Sequence, residues 1–456
     1  MEHKKPLMVV QCPCATRSGY GERSRDLLRA LIELDKYEIK VISTRWGQTP
    51  LNALNVNDKY DKQIIDRLHF GQLTQQPDIF MQVTIPNEFM PIGKYNIGVT
   101  AGIETDRCAP EWIEACNKMD LILISSNHSA NVLKTTGYQM MNQQTNQQIG
   151  NLVFNKNLEV LFEGIDTDVF KKLNSPADFI SPLIKQSFEN IKEDFCFLFV
   201  GHWLPGEFGQ DRKNVGGLIR SFFEAFKNKK NAPALVLKTS GGAPSVLDRN
   251  ELKKKINTIR KSIPDATSLP NVYLIYGDLT ATEMNELYNH PKVKAHITFT
   301  KGEGYGRPIL ESAISGKPVI VPLWSGQKDF LKEDAVIELK GKLEPIHKSV
   351  QWDKVLIKDS NWFSVDFGYA VAVMKDVYKE YKKYVEKCRS HSHYSKTNFS
   401  FDKMKERIDQ IMTKYIPEFP KQVALQLPKL KKVSDATPVT EPPKITLPKL
   451  KKIETV

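Results

Sequence analysis

The segment Lys301–Glu311, KGEGYGRPILE, sets Glu303 and Glu311 eight positions apart around a turn carrying Gly304 and Gly306. A carboxylate presents two acceptor oxygens, enough to take both hydroxyls of a vicinal diol. The preceding KAHITFT reads as a strand, the glycines permit a tight turn, and Pro308 suits the first turn of a helix that Gly316 and Pro318 stop. That places a helix N-terminus at the carboxyl end of a parallel strand, where open α/β sheets bind ligands. Its free N–H groups and dipole attract phosphate. Glu303 ahead of the turn and Glu311 in the first helical turn could then grip hydroxyls on either side of a phosphate. A purely structural reading instead has Glu311 complementing the dipole and Glu303 capping the turn.

Two other places bear on that choice. QDRKNVGGLIRSF puts Arg212 and Lys213 at a helix start, where cations oppose the dipole unless an anion such as a diphosphate lies between. The bland alternative is a solvated charge run. RSGYGERS places Gly19, Tyr20 and Gly21 before the first helix, short of a complete dinucleotide fingerprint but open enough for a ligand to approach the backbone.

These groups need a large α/β scaffold, and the chain reads as one. Strand-like runs at 6–11, 37–44, 78–84, 95–101, 120–126 and 158–164 alternate with helical patterns, and MMNQQTNQQIGN (140–151) reads as a polar loop. A second round opens with FCFLFVG (195–201). A helix follows, then the strands PALVLKTSG and NVYLIYGDL in succession, the helix TATEMNELYNH, the 294–300 strand and KPVIVP. Beyond 340 the pattern is helical, with FGYAVAVMKDVYKEYKKYVEK as one helix. The expected division is 1–175 and 176–395 for the two domains, 396–418 for a C-terminal helix returning toward the first domain, and 419–456 for a disordered Lys/Pro-rich tail with two LPKLKK repeats.

At 456 residues the chain exceeds one ordinary core, and 41% hydrophobic with 26% charged residues is a globular balance. The six scattered cysteines suit a reducing compartment, and neither Cys12-Pro-Cys14 nor Cys388, His391 and His393 has a second pair at zinc spacing. No apolar run is long enough for a membrane helix, so a cytoplasmic protein is expected, with peripheral membrane contact left open. From Lys421 on, eight lysines face Asp435, Glu441 and Glu454, so +7 of the +12 belongs to the remainder. A basic body suits an anionic ligand, and the tail suits either an anionic surface, a protein partner or a solubilising role.

Taken together, the Glu-x7-Glu motif, the upstream Arg/Lys pair, GYGRPILESAISGKPVIVPLWSG, GIETDRCAPEWIEACNKMDLILISSNHSANVL and EGIDTDVF resemble the retaining GT-B glycosyltransferases, specifically the family 4 group, over roughly 7–415. The resemblance implies two Rossmann-like, doubly wound domains facing a cleft, C-terminal helices, a nucleotide-diphosphate sugar donor, and no metal or other cofactor. It implies that Glu303 contacts the donor sugar and Glu311 the ribose. Lys213 and Arg212 would hold the diphosphate with the amides around Gly304, Tyr305 and Gly306, beside Arg307. Gly19, Tyr20 and Gly21 would line the cleft, with Glu104 and Asp106 as candidates toward the acceptor. Where the group commonly has Gly-Arg after the 195–200 strand, this chain has Gly201-His202, so Arg212 or a protonated His202 would have to replace the missing guanidinium. Open alternatives are a nucleotide-sugar epimerase, a non-catalytic binding module, and a transferase acting on a glycan, lipid, protein or nucleic acid.

Overall fold

In a computed structural model describing residues 5–241 and 244–419, the chain alternates strand and helix twice over. The first round runs β1 (Leu7–Cys12), α1 (Gly19–Leu34), β2 (Glu38–Ser43), α2 (Lys59–Ile65), β3 (Ile79–Val83), β4 (Tyr95–Thr100), α3 (Pro110–Cys116), β5 (Leu121–Ile124), α4 (Asn127–Thr135), a hairpin of β6 (Gly137–Met141) and β7 (Gln148–Val153), and β8 (Asn157–Val160). After α5 (Pro182–Glu189) come β9 (Cys196–Val200), α6 (Val215–Phe226), β10 (Ala234–Lys238), α7 (Val246–Lys261), β11 (Val272–Ile275), α8 (Ala281–Asn289), β12 (Val293–Ile297), α9 (Arg307–Ile314), β13 (Val319–Val321) and β14 (Ile337–Glu338). A ribbon of β15 (Gly341–Pro345) and β16 (Asn361–Val365) follows, then α10 (Phe367–Lys379), α11 (Tyr381–Asn398) and α12 (Phe401–Tyr415).

Both sheets are parallel and both are doubly wound. Strand order is β2-β1-β3-β4-β5-β8 in the first and β11-β10-β9-β12-β13-β14 in the second. Order reverses between β1 and β3, and again between β9 and β12, and at such switch points the outgoing loops part to leave a crevice. The strands are apolar on both faces because helices cover both. In the second domain Phe197, Phe199, Phe222 and Phe226 fill one side of the sheet, while Leu198, Val236 and Leu310 fill the other.

Local chemistry sets the helix ends that matter. Ser18 caps α1 by accepting from Gly21 N, and Asp35 closes it in the left-handed region. Thr280 and Glu283 form a capping box on α8.

Several sequence expectations change. The 140–151 segment belongs to the β6–β7 hairpin rather than a loop, since β-pairing satisfies its backbone without an apolar pattern. Helix α7 lies between the two strands expected in succession; its exposed polar face, with only Leu252, Ile256 and Ile259 buried, hid it. The region after 340 opens with a ribbon, and the single helix expected from Phe367 breaks at Glu380 into α10 and α11. No helix among the described residues is long and apolar enough to cross a membrane. The LPKLKK repeats lie outside the described residues.

The chain crosses between domains twice. Ile165 pairs with both Phe399 and Phe401 through backbone bonds, and α12 then packs on α1. Arg29 of α1 ties this crossing together, binding Asp166 at 2.6 Å and lying 4.1 Å over the Phe401 ring. Replacing Arg29 with alanine is expected to lower unfolding stability by about 2 kcal/mol through the lost ion pair and ring contact. Arg29→Lys should recover only part, because an ammonium lacks the planar fork. Denaturant unfolding checks both, and a lysine variant as stable as the parent would contradict the stacking argument.

Candidate functional site

The loops leaving β9 and β12, neighbours at the second switch point, meet at one carboxylate. Glu303 Oε1 takes a 2.5 Å hydrogen bond from Lys213 Nζ, and Oε2 takes one of 2.9 Å from Arg212 Nη1. Arg212 also donates to Gly302 O at 2.9 Å and lies 3.5 Å from Glu104 of the first domain. All of this is secluded: Glu303 is 5% exposed and Lys213 8%. Burial pushes the Glu303 carboxyl up, but the Lys213 and Arg212 cations outweigh it and hold it at about 2. Burial lowers Lys213 despite Glu303, whereas part-buried Glu104 is raised because burial, with Glu303 beside it, outweighs Arg212 and Lys213.

The Glu303 loop is pinned from below and above. Ser325, itself at φ 62°, accepts from Glu303 N at 2.8 Å, and Gly326 N donates to Glu303 O at 2.9 Å. Across the seam the loop meets the first domain backbone to backbone. A Cβ on Gly302 would stand 2.2 Å from Glu104 O, and one on Gly304 would stand 2.7 Å from Ala101 O, so glycine is needed at both. Gly306 then takes φ 102° as the residue preceding α9, with Pro308 in the first turn. Gly304, Tyr305 and Gly306 are all buried, and their backbone N–H groups meet no acceptor among the described residues. Three consecutive free amides ahead of a helix make an anion cradle.

Glu311 stands on the far side of that cradle, in the second turn of α9 rather than the first, so it does not complement the helix dipole. It is 6% exposed and accepts from Tyr288 Oη at 2.9 Å and from Arg307 Nε at 3.1 Å. Burial raises its carboxyl to about 8, against the pull of Arg307. Arg307 turns to the first domain as well, binding Asp26 and lying 3.5 Å from Glu22. His202 Nδ1 sits 3.0 Å from Ser240 Oγ; burial, then Lys213, Lys238 and Arg212, lower its pKa. A protonated His202 is therefore the poorer substitute for the absent arginine, and Arg212 is the cation that reaches the site.

On the first-domain side, Tyr20 Oη bonds Thr100 Oγ1 at 3.0 Å and accepts from Ala101 N at 3.1 Å, stacking its ring on Trp46 at 3.9 Å. Gly19 is exposed at the start of α1, and Gly21 is packed against Thr16. Asp106 is turned away from the crevice, both carboxylate oxygens held by Asn361. Tyr288, Ser325 and Asn361 escaped sequence reasoning, because a tyrosine inside an amphipathic helix and polar residues in loops carry no spacing signal. Cys388 and His391 are buried in α11, where His391 Nε2 meets Phe330 O at 3.3 Å, and no group of three or more metal-ligating side chains occurs among the described residues.

The charge geometry has a measurable consequence. Glu303 is depressed below its unfolded value, so its stabilisation is complete above about pH 4.5 and is lost as pH falls toward about 2. Glu303→Gln should remove that acid-side slope and destabilise the fold by about 3–5 kcal/mol at neutral pH, since two buried cations lose their counter-ion. Unfolding midpoints of parent and variant between pH 2 and 7 test it; parallel curves would refute the ion-pair assignment.

No protein-family model matches the chain, and no curated protein sequence matches it. Its fold has clear counterparts among solved structures. A glycosyltransferase from Rickettsia africae superposes with a TM-score of 0.57 at 13% identity, over 91% of this chain and 99% of that one. HepE of Anabaena, in complex with UDP and glucose, gives 0.54 at 11% identity over 90% and 100%. Sucrose-phosphate synthase of Thermosynechococcus elongatus gives 0.56 at 10% over 90% and 99%. At these identities the likeness establishes architecture: the chain has the GT-B fold, two Rossmann-like domains with their strand ends turned toward a shared seam.

Proposed function

We propose that the protein is a retaining glycosyltransferase of the family 4 type, transferring a sugar from a nucleotide-diphosphate sugar to an acceptor in the cytoplasm or at its membrane surface. The observation that carries this reading is the run of free, buried amides at Gly304–Gly306, flanked by Lys213 and Arg212 on one side and by Glu311 on the other. Amides and cations together suit a diphosphate, and carboxylates beyond them suit the two carbohydrate rings. The fold relatives add weight, since HepE is seen with UDP-glucose.

On this reading the diphosphate takes the amide cradle and draws Lys213 and Arg212 into a shared network. Glu303 is left free to face the donor sugar, and Glu311 exchanges its Tyr288 or Arg307 partner for ribose hydroxyls. As the glycosidic bond breaks, charge grows on the departing phosphate, where fixed amides and cations stabilise it without reorganisation. The phosphate can accept the acceptor's proton, and the reading needs no metal. The seam between the domains excludes water, the competing acceptor. Gly19, Tyr20, Gly21 and Glu104 face the acceptor side.

A second reading, a binding module without catalysis, is favoured by one observation: Glu303 and Glu311 are already satisfied by protein partners. Incubation with UDP-, GDP- and ADP-sugars, following nucleotide release, separates the two. One donor should be hydrolysed by the parent and not by Glu303→Ala. The matching nucleotide at about 100 times its Kd should stabilise the fold by about 2.7 kcal/mol. Neither release nor stabilisation with any nucleotide would transfer the case to the binding module.

A further inference from the structure

The ribbon of β15 and β16 belongs to the second domain, where Phe363 N donates to Lys301 O at 2.9 Å and Lys301 Nζ to Ser364 Oγ at 2.6 Å. The segment between its strands, 346–360, does not stay there. It reaches across the seam, and Val355, 7% exposed, is buried in the same apolar cluster as Ile103, Trp112 and Ile113 of the first domain, with Leu356 and Ile357 packed beside it. Its tip is closed on itself: Trp352 and Leu356 exchange backbone bonds of 3.1 and 2.8 Å around Lys354 at φ 60°. At the ribbon's root Asn361 clasps Asp106. Asn361 N donates to Oδ1 at 2.7 Å, Nδ2 donates to Oδ2 at 2.8 Å, and Asp106 N donates to Asn361 O at 3.0 Å.

Asp106 lies in the same loop that carries Ala101, against Gly304, and Glu104, beside Arg212. We propose that the 346–360 strap is a cross-domain latch and Asn361 a positioning residue, holding the 101–106 loop against the Glu303 loop so that the crevice closes only when the strap is docked. The role in catalysis rests on the transferase reading; the latch itself does not. Two independent holds, an apolar tip and a charge-assisted clasp, act on one loop, and that loop touches the carboxylate cluster. Strap undocking therefore precedes any separation of the two switch points.

A double-mutant cycle on the full chain, read by hydrogen exchange, tests this. Asp106→Asn replaces the charged acceptor with a neutral amide, and Asn361→Asp sets acceptor against acceptor. Bonds to a charged group are strong enough that either change should raise exchange in both 346–360 and 101–106 about tenfold. The combined swap restores complementarity and should return both segments to the parent rate. Val355→Ser, which leaves the clasp intact, should raise both segments together. Exchange that rises in the strap while 101–106 keeps the parent rate, or a swap that restores neither segment, overturns the latch. Where the parent releases nucleotide from a UDP-sugar, the single variants should lose kcat with donor KM held. A loss of stability alone, without that split, overturns the positioning role. A parent that neither turns over a donor nor is stabilised by any nucleotide removes the transferase reading and leaves the exchange result to decide the latch.

Discussion

One carboxylate organises the seam of this protein. Glu303 is buried between Arg212 and Lys213 and is the counter-ion that both cations bind directly, with Glu104 adding a second negative charge beside Arg212. Taking three charges out of water is costly, and their mutual attraction offsets that cost only when geometry and further hydrogen bonds are good. The surrounding structure supplies those conditions. The left-handed Ser325 caps the Glu303 amide, Gly302 O takes a further bond from the same Arg212 Nη1 that binds Glu303, and glycines at 302 and 304 let the opposing backbone close over the site.

The placement of that cluster follows from topology. Loops leaving adjacent strands at a switch point diverge, so the β9 loop with Lys213 and the β12 loop with Glu303 face each other across the crevice that the sheet itself opens. The first sheet turns its own switch point toward the same place, which brings Tyr20 and Glu104 within reach. A ligand entering this seam meets groups whose charges are already matched. Its binding exchanges one set of partners for another rather than filling an empty pocket, which favours an anion able to replace a carboxylate on the cations. Free amides at Gly304–Gly306 are the part of the site not claimed by the protein, and on the proposed reading they are where such an anion would sit.

Burial distributes the two carboxylates unequally. Glu303, with two cations, is held deep in its charged form, while Glu311, sharing one arginine with Asp26 and Glu22, is pushed toward neutrality. Residues of the same type at matched ends of a motif thus carry different chemistry, and the difference arises from how many cations each can reach in a closed interior.

Much of this was legible in the chain itself. Alternation of apolar runs with helical patterns, glycine turns and the proline in the first turn of α9 are local signals, because strand and helix periods and backbone freedom are properties of neighbouring residues. They determined the doubly wound architecture and the position of Glu303 at a strand end. Local signals failed where stability comes from elsewhere: the polar β6–β7 hairpin is set by cross-strand pairing, α7 by three buried residues on one side, and the break at Glu380 by packing of two helices against different surfaces. Partners of the site side chains were equally invisible. Tyr288 lies 23 residues from Glu311, and Asn361 lies 255 from Asp106. Which charges meet, which carboxylate stays ionised and which loop straps the domains together were decided only by tertiary structure, since Coulomb and hydrogen-bond energies depend on distance in space and on exclusion of water, neither of which a linear sequence contains.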